Sequence, residues 1–409
     1  MTSLTEFFNK DTGDSSKGVA YKNNLIKRDI IAYMAVTGQC TLAELTRELN
    51  VSVPTITKLV GELVVQKIIV DNGKIETSGG RRPNVFGLAN TALYFAGISV
   101  GFDVINMVIT NLENQVIYSE DITDFKLVNS IQCFDTLVSK IDNFLNKCGV
   151  SRSKIIGLGF AITCRVNPQT GRSNKYFSDF EQPLSEVLRE RLQVSVLLEN
   201  DTRSRCYAEY CLSEADKDKN FIFLNAGRGV AIGIVIDGKL YYGKSGFAGE
   251  FGHTPFFDNE IICACGKKGC LETEISGMAL ERKMIDKINE GVNTSCKAKY
   301  IETNNIHIND IVESAKKDDI LAIELIESAG EKIGKSIAFL INIFNPETVV
   351  IGGNLACAGD IIMLPIKSAV NKYSLSVVYK DTNFKISTMS GNAPALGVAM
   401  LVRNKIIGL

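Results

Sequence analysis

The 409-residue sequence predicts an α/β protein that follows a separate, mainly helical head. From about Leu93 onward, short apolar runs typical of strands alternate with amphipathic helical stretches such as residues 131–148. Glycine-rich turns follow several of these strands, as Gly352 and Gly353 follow the run at 347–351. This alternation indicates an α/β fold whose ligand site lies at the carboxyl ends of the strands. Because such turns occur in both halves, we expect two lobes around a cleft.

The composition excludes several classes of protein. Hydrophobic residues make up 45% of the chain and charged residues 22%, which is the balance of a globular protein and not of a disordered or fibrous one. The net charge is −1, so any contact with DNA must come from a local patch. At about 100–200 residues per domain, the length predicts two to four domains.

The sequence also predicts a cytoplasmic protein with no membrane partner. It has no apolar run close to the ~18–20 residues that a membrane helix needs. Residues 1–21 lack the basic start and apolar centre of a signal peptide, so we expect a flexible tail there. Eleven cysteines, an odd number in a large chain, favour free thiols in a reducing cytosol.

Residues 22–90 have a layout of their own and an excess of positive charge, with nine Lys or Arg against six Asp or Glu. Apolar residues at helical spacing predict a first helix near 26–34. Thr41 and Glu44 form a capping-box pattern that opens a second helix, and a third begins near Ser52. Three short helices followed by a hairpin predict a winged helix-turn-helix domain.

For the hairpin of that domain, the sequence predicts strands at 68–70 and 74–77, joined by a turn at 71–73. The loop Ser-Gly-Gly-Arg-Arg-Pro at 78–83 comes next and precedes another short strand. Lys67 stands where such domains often turn on glycine.

The third helix and the arginine-rich loop are the predicted DNA contacts. Thr55, Thr57 and Lys58 face away from the apolar side of the helix, which would enter a major groove. Arg81 and Arg82 would reach a minor groove or phosphates. The alternative is a three-helix oligomerisation domain whose charges are simply hydrated.

The strongest chemical motif is His253 followed by Cys263, Cys265 and Cys270. Three thiolates and one imidazole form a closed tetrahedral set, which is the preferred structural site for Zn²⁺. Gly266 and Gly269 let the backbone wrap tightly enough for the thiolates to converge. The alternative is a redox-active or incidental cysteine loop.

Two glutamates accompany this motif, Glu250 before it and Glu272 after it. If zinc holds one ring nitrogen of His253, the other N–H is free to donate to a ligand hydroxyl, with the glutamates as acceptors. One donor and two acceptors suit a polyhydroxylated ligand such as a sugar. The alternative is that both glutamates are ordinary surface residues.

Two further motifs each have a functional and a purely structural interpretation. Asn200 and Asp201 close a predicted strand and open a helix, where they would bind hydroxyls or Asp201 would act as a general base. The structural alternative is that they cap the helix. The glycine-rich turn at 227–233 is similar to a phosphate-binding turn, or is only a tight hairpin.

These motifs occur in the same order in the ROK family of sugar kinases and repressors, which the sequence resembles over roughly residues 22–409. The family's Glu-x-Gly-His and CxCGxxGCxE motifs resemble 250–253 and 263–272, its Asn-Asp pair resembles 200–201, and its late glycine pair resembles 352–353. The segment ending in Gly-Gly-Arg-Arg-Pro resembles the transcriptional-regulator branch, typified by xylose and N-acetylglucosamine repressors.

The resemblance implies a two-lobed, actin-like fold, the ATPase-type fold of sugar kinases and ribonuclease H-like proteins, behind the winged helix-turn-helix. It also implies homodimers or homotetramers that bind operator DNA. The implied effector is a sugar or sugar phosphate, contacted by Asn200, Asp201, Glu250, His253 and Glu272. The expected division of the chain is a tail at 1–21, a DNA-binding domain at 22–90, a first lobe at 91–218 with 395–409, and a second lobe with the zinc site at 219–394.

The phosphate motif of the family's kinases is altered in this sequence. Kinases carry Asp-x-Gly-Gly-Thr near the start of the first lobe, and the matching stretch here begins at Ser99. Ser99 lacks the carboxylate, Phe102 is bulky where backbone must approach phosphate, and Asp103 adds negative charge. We therefore expect no kinase activity and only a vestigial role for Asp201, as a hydroxyl acceptor.

The sequence thus predicts a sugar-responsive DNA-binding regulator, acting as a repressor, with a catalytically degenerate sugar-kinase-like domain. Two alternatives stay open. One is an ATP-dependent sugar kinase with an attached DNA-binding domain, and the other is a protein–protein module whose winged domain never meets DNA.

Overall fold

The computed structural model describes residues 18–74, 83–212, 218–389 and 391–409. The chain divides into two compact units, Met1–Ser204 with Gly391–Leu409 and Arg205–Ser390. Each unit contains a five-stranded mixed sheet with helices, so the predicted α/β class is confirmed. The finer division into tail, DNA-binding domain and two lobes stays a prediction. Among the described residues, no helix combines the length and apolar character of a membrane crossing.

The N-terminal part of the first unit has three helices and a small antiparallel sheet of order β1-β3-β2. Its elements are α1 (Val19–Thr37), β1 (Cys40–Thr41), α2 (Leu42–Leu49), α3 (Val53–Val65), β2 (Ile69–Lys74) and β3 (Asn84–Leu88). The capping box forms as predicted, since Thr41 Oγ1 accepts from the Glu44 N–H and the Glu44 carboxylate accepts from the Thr41 N–H. Lys67 adopts φ 59°, the conformation for which glycine is usually chosen.

The predicted turn at 71–73 is wrong. Strand β2 runs through this stretch and pairs with β3 from Ile69–Leu88 to Lys74–Asn84, with an irregularity after Asp71. Asp71 explains the error, because one carboxylate oxygen accepts from the Gly73 N–H and the other from Asn84 Nδ2, each at 2.9 Å. A turn-like sequence therefore forms a bulge inside a strand. Arg81 and Arg82 lie outside the described residues.

The first large sheet has the order β10-β7-β4-β5-β6, with β4, β7 and β10 parallel and the other pairs antiparallel. Every residue of β4, β5 and β7 is buried, as continuous apolar strands predict. The elements are β4 (Tyr94–Val100), β5 (Ile105–Asn111), β6 (Val116–Ile122), α4 (Ile131–Lys147), β7 (Ile155–Ile162), β8 (Val166–Asn167), β9 (Arg172–Ser173), α5 (Leu184–Leu192), β10 (Val196–Asn200) and α6 (Asp201–Leu212).

The second large sheet has the order β13-β12-β11-β14-β15, with β11, β14 and β15 parallel. Its strands are β11 (Phe221–Ala226), β12 (Val230–Ile236), β13 (Lys239–Leu240), β14 (Thr348–Gly352) and β15 (Asn383–Ile386). The helices of this unit are α7 (Glu272–Ile275), α8 (Gly277–Asn289), α9 (Cys296–Thr303), α10 (Ile308–Ala315), α11 (Ile320–Phe344), α12 (Asp360–Tyr373) and α13 (Ser376–Asp381).

The last helix, α14 (Ala393–Ile407), returns to the first unit and packs on β4 and β7. Glycines on the strands permit this contact, since a Cβ on Gly97 or Gly159 would lie 1.9 Å or 2.2 Å from a carbonyl oxygen of α14. Val402 of α14 also joins a single apolar cluster with the core of the N-terminal helices.

Candidate metal centre and ligand site

The segment that carries Glu250 and His253 lies directly against the backbone of β12. A Cβ on Gly249 would lie 2.1 Å from the Ile232 carbonyl oxygen, and one on Gly252 would lie 2.2 Å from that of Val230. The Ile232 N–H donates to the Gly249 carbonyl at 2.9 Å. Only residues without a side chain allow this approach, so the two glycines fix where the following polar side chains stand.

The four predicted metal ligands lie together. One ligand atom from each of His253, Cys263, Cys265 and Cys270 falls within 4.8 Å of all the others. His253 Nδ1 is 3.4 Å from Cys263 Sγ, and Cys265 Sγ is 3.6 Å from Cys270 Sγ. This cluster can hold a metal ion.

The cysteine loop closes in the way its glycines predict. Gly266 and Gly269 have φ values of 83° and 72°, both in the left-handed region. A Cβ on Gly269 would lie 2.1 Å from the carbonyl oxygen of Phe257, so the loop returns tightly against the earlier part of the segment. The Cys265 N–H points at Cys263 Sγ at 3.4 Å, as is common around a thiolate ligand.

The donor set fits a soft divalent cation better than free thiols. Burial raises the pKa of the Cys263 thiol and of the Cys270 thiol, so neither ionises readily by itself. Burial also acts against ionisation of Cys265, but hydrogen bonds from the Lys267 backbone and the neighbouring thiols lower its pKa overall. A bound cation would displace the thiol protons and compensate the burial of three sulfur charges.

Glu250 and Glu272 flank the imidazole on its two sides. Glu250 Oε2 is 3.7 Å from His253 Nε2, and Glu272 Oε1 is 3.4 Å from Nδ1 and 2.8 Å from Cys263 Sγ. Thus Nδ1 faces the sulfur cluster and Nε2 faces Glu250. The Glu272 side chain is only 17% exposed, which argues against an ordinary surface role.

The glycine-rich turn after β11 is a tight hairpin, and its use as a phosphate-binding turn stays untested. Strands β11 and β12 pair up to Ala226 and Val230, leaving three residues in the turn. Its carbonyls accept from the first N–H groups of α8, Gly227 from Gly277 at 2.7 Å and Arg228 from Met278 at 3.3 Å. The N–H groups of that helix are therefore bonded within the chain.

Asn200 and Asp201 lie at the N-terminus of α6 in the first unit. Asn200 Oδ1 accepts from the Arg203 N–H at 3.1 Å, which is a helix-capping bond, and Asn200 Nδ2 donates to the Cys164 carbonyl at 3.1 Å. Asp201 Oδ1 accepts from the Thr202 N–H at 2.8 Å. Helix capping thus accounts for part of the hydrogen bonding of Asn200 and Asp201, and the contact of these two residues with a sugar stays a prediction.

The three altered kinase positions lie at the end of β4 in the first unit. Ser99 is buried and pairs with Asn106 on β5, while Phe102 packs against the apolar core and Asp103 is exposed. The Gly101 N–H donates to the Val104 carbonyl at 2.8 Å, so this stretch is a tight hairpin.

The predicted DNA-binding side chains on α3 differ in exposure. Thr57 and Lys58 are exposed, but Thr55 is half-buried and its hydroxyl is 2.9 Å from that of Ser52. We therefore assign the outward face of α3 mainly to Thr57 and Lys58.

Sequence reasoning missed two features of the sites. The backbone contacts of Gly249 and Gly252 have a signal in the sequence, because glycine recurs at every third residue from Gly246 to Gly252. The other feature is the buried ion pair of Glu199 and Arg203, whose Glu199 Oε1 also accepts from the Asn200 N–H at 2.7 Å. An i,i+4 Glu–Arg pair is a signal too common to reveal burial.

Comparison with known proteins identifies the family. The ROK family profile matches residues 95–405. A xylose repressor of Caldicellulosiruptor bescii is 26% identical over 372 residues, covering 89% of this chain and 92% of the relative. A glucokinase of Halalkalibacterium halodurans is 28% identical over 317 residues, covering 76% of this chain and 96% of the relative.

A solved structure supports the same fold over almost the whole chain. A ROK family transcriptional regulator, described as a homologue of the E. coli MLC protein, superposes with a TM-score of 0.79 at 23% identity, covering 94% of this chain and 96% of that one. The predicted fold, a winged helix-turn-helix followed by the actin-like fold of sugar kinases, is confirmed. Since the family profile matches well over half of its length, this chain belongs to the ROK family.

Proposed function

We propose that this chain is a sugar-responsive, DNA-binding transcriptional repressor. The observation that carries the proposal is the presence, in one chain, of a winged helix-turn-helix and of a metal-ligand cluster flanked by two carboxylates. The match to the xylose repressor covers 89% of the chain, against 76% for the glucokinase, which favours a regulator over an enzyme.

We propose Zn²⁺ as the metal of the cluster. His253 Nδ1 and the three sulfurs of Cys263, Cys265 and Cys270 would hold it. A four-ligand S₃N site is closed, so the ion supplies structural order and leaves no open position for catalysis. It would fix the imidazole plane and leave Nε2–H as a donor.

The proposed sugar contacts follow from that arrangement. His253 Nε2–H donates to a ligand hydroxyl, and the carboxylates of Glu250 and Glu272 accept from hydroxyl groups. Asn200 and Asp201 are proposed as further sugar contacts, with Asp201 as an acceptor and not as a base. A sugar and a sugar phosphate both satisfy these donors and acceptors.

We propose that the chain has no kinase activity. Ser99 supplies no carboxylate for a metal-bound phosphate, Phe102 fills space next to the backbone, and Asp103 places a negative charge there. Phosphoryl transfer depends on positioning and charge neutralisation, so these changes remove what it needs. The rival function, a sugar kinase with an attached DNA-binding domain, draws its support from the glucokinase similarity.

In the proposed mechanism, sugar binding weakens operator binding. The effector must prefer one arrangement of the chain over another, because only differential affinity couples two sites. Pairing of two chains, as a homodimer or within a homotetramer, would match a palindromic operator with half-sites about one helical turn apart or a multiple of it.

The test combines DNA binding, sugar response and turnover. Purified protein is titrated against duplex DNA that it has selected from a random pool, with and without each member of a panel of sugars and sugar phosphates. We expect salt-sensitive binding that one class of effector weakens. Glu250→Gln should abolish the sugar response while DNA binding and zinc content persist. The control is Glu260→Gln, an exposed residue of the same segment, which should leave the sugar response, DNA binding and zinc content unchanged. Sugar-dependent ATP turnover at ordinary kinase rates would reject the proposal in favour of the kinase.

A further inference from the structure

Gly61 lies in the interior of α3, where nothing inside the described chain calls for a glycine. Apart from its two chain neighbours and the backbone of its own helix, a Cβ built on Gly61 meets no heavy atom of the described residues within 4 Å, and its φ is outside the left-handed region. Glycine inside a helix costs about 1 kcal/mol relative to alanine. The helix is therefore weakened at this position without any gain in packing.

Two other helix glycines show the usual explanation. A Cβ on Gly330 of α11 would lie 3.0 Å from the carbonyl oxygen of Ile362, and one on Gly334 would lie 2.4 Å from that of Ile366. Both carbonyls belong to α12, so the close packing of two helices requires glycine there. Gly61 has no such neighbour.

Gly61 also shares its face with the residues proposed to meet DNA. Thr57 is one helical turn before it and Lys58 three residues before it, and both are exposed. Val53 and Pro54 continue this exposed face to the start of the helix. The neighbouring acid, Glu62, has its Oε2 atom 2.7 Å from Lys27 Nζ, so its charge is partly neutralised.

We propose that Gly61 is the point where the backbone of α3 comes closest to operator DNA, an inference that rests on the DNA-binding function proposed above. The major groove is about 12 Å wide and an α-helix with its side chains about 10–12 Å across, so the fit is close. A position without a side chain lets the helix axis approach the base edges. Gly61 thus contributes to specificity because its lack of a side chain permits this close approach, while Thr57 and Lys58 supply the polar contacts.

The test is Gly61→Ala in the full chain, with duplex DNA selected from a random pool by the wild-type protein as the probe. The variant should melt at the same temperature or about 2–4 °C higher, because alanine favours the helix. Its affinity for the selected duplex should fall at least about tenfold, the cost of losing one good base contact. Its affinity for an unrelated duplex of the same length should change far less, because non-specific binding depends on phosphate charge.

The control is Gly391→Ala, outside the winged domain, where a Cβ also meets no heavy atom of the described residues within 4 Å apart from its chain neighbours. It should bind the selected duplex as the wild type does. Wild-type-like affinity of Gly61→Ala for the selected duplex would overturn the inference, and so would a lowered melting temperature, since the fold itself would then need the glycine. If the wild type selects no sequence at all, the proposed DNA-binding function fails and this inference falls with it.

Discussion

At the scale of single residues, the candidate metal centre depends on side chains from two short segments that the backbone brings together. Cys263 and Cys270 are buried and Cys265 and His253 are half-buried, so water has limited access to the cluster. Cysteine and histidine types and their spacing were enough to predict the ligand set. The role of the flanking glutamates could not be decided from the sequence, because only its burial in the structure distinguishes Glu272 from an ordinary surface residue.

The first prediction concerns the metal. The purified protein should contain one zinc per chain, and Cys270→Ser should lose most of it and melt at a lower temperature, because a fully buried ligand cannot be replaced by water. Cys357→Ser is the control, since Cys357 is an exposed cysteine outside the cluster. Elemental analysis and thermal melting measure both effects. A wild-type protein without stoichiometric metal would contradict the proposed site.

A second prediction concerns the buried ion pair of Glu199 and Arg203, next to Asn200. Glu199→Gln removes the carboxylate charge that faces the buried Arg203 guanidinium at 2.7 Å, so the free energy of unfolding should fall by about 3–5 kcal/mol. Glu186→Gln breaks an exposed pair with Arg189 and should cost under about 1 kcal/mol. Urea unfolding compares the two, and equal losses would show that the burial of the pair is unimportant.

At the scale of elements, local sequence rules succeed where the chain satisfies its own backbone groups. The capping box at Thr41 and Glu44 forms as predicted because both partners lie within one helical turn. The predicted turn at Asp71 is wrong because β3 pairs with residues on both sides of this stretch, so that it forms a bulge within β2. A local signal therefore decides an element only when no distant partner competes for the same groups.

A third prediction concerns the start of the longest helix, α11. Asp319 caps it by accepting from the Ala322 N–H at 3.0 Å, and also accepts from the Ser295 N–H at 2.6 Å and the Thr294 hydroxyl at 2.9 Å. Burial acts to raise the pKa of Asp319, but these hydrogen bonds lower it overall below its ordinary value of 3.8.

The sign of the pH effect follows. A carboxylate whose pKa is lower in the folded state stabilises the fold above its ordinary value, and this stabilisation is lost as pH falls through the folded-state pKa. Asp319→Ala should therefore cost about 1–2 kcal/mol at neutral pH and progressively less below pH 3.8. Urea midpoints at several pH values measure the difference, and a difference independent of pH would exclude the charged cap as its cause.

At the scale of the whole molecule, the N-terminal helices share their apolar core with the rest of the first unit. Ile30 and Ile31 of α1 share one apolar cluster with Phe95 of β4, Ile156 of β7 and Val402 of α14. All these elements belong to the first compact unit. Movement of that unit would therefore carry the proposed DNA-binding helix with it, with no need for a signal through a linker.

A fourth prediction tests this continuity by hydrogen exchange. Backbone amides of Ile30 and Ile31 should exchange with the same protection as those of Phe95 and Val402, because residues of one cooperative cluster open together. Exposed amides such as that of Gln132 in the first turn of α4 serve as a fast-exchanging reference. Exchange of the α1 amides several orders of magnitude faster than that of Phe95 would show an independently opening domain.

The sequence by itself determined the α/β class, the winged helix-turn-helix, the residues of the His/Cys cluster and the family, because periodicity, capping and residue spacing are local or depend on residue type. Tertiary structure decided the rest. It converted a predicted turn into a bulge by pairing β2 with β3, and it brought Asn200 Nδ2 to the carbonyl oxygen of Cys164. It also merged the N-terminal core with the first unit. These outcomes depend on which distant backbone or apolar surface meets each segment, and no local pattern encodes that.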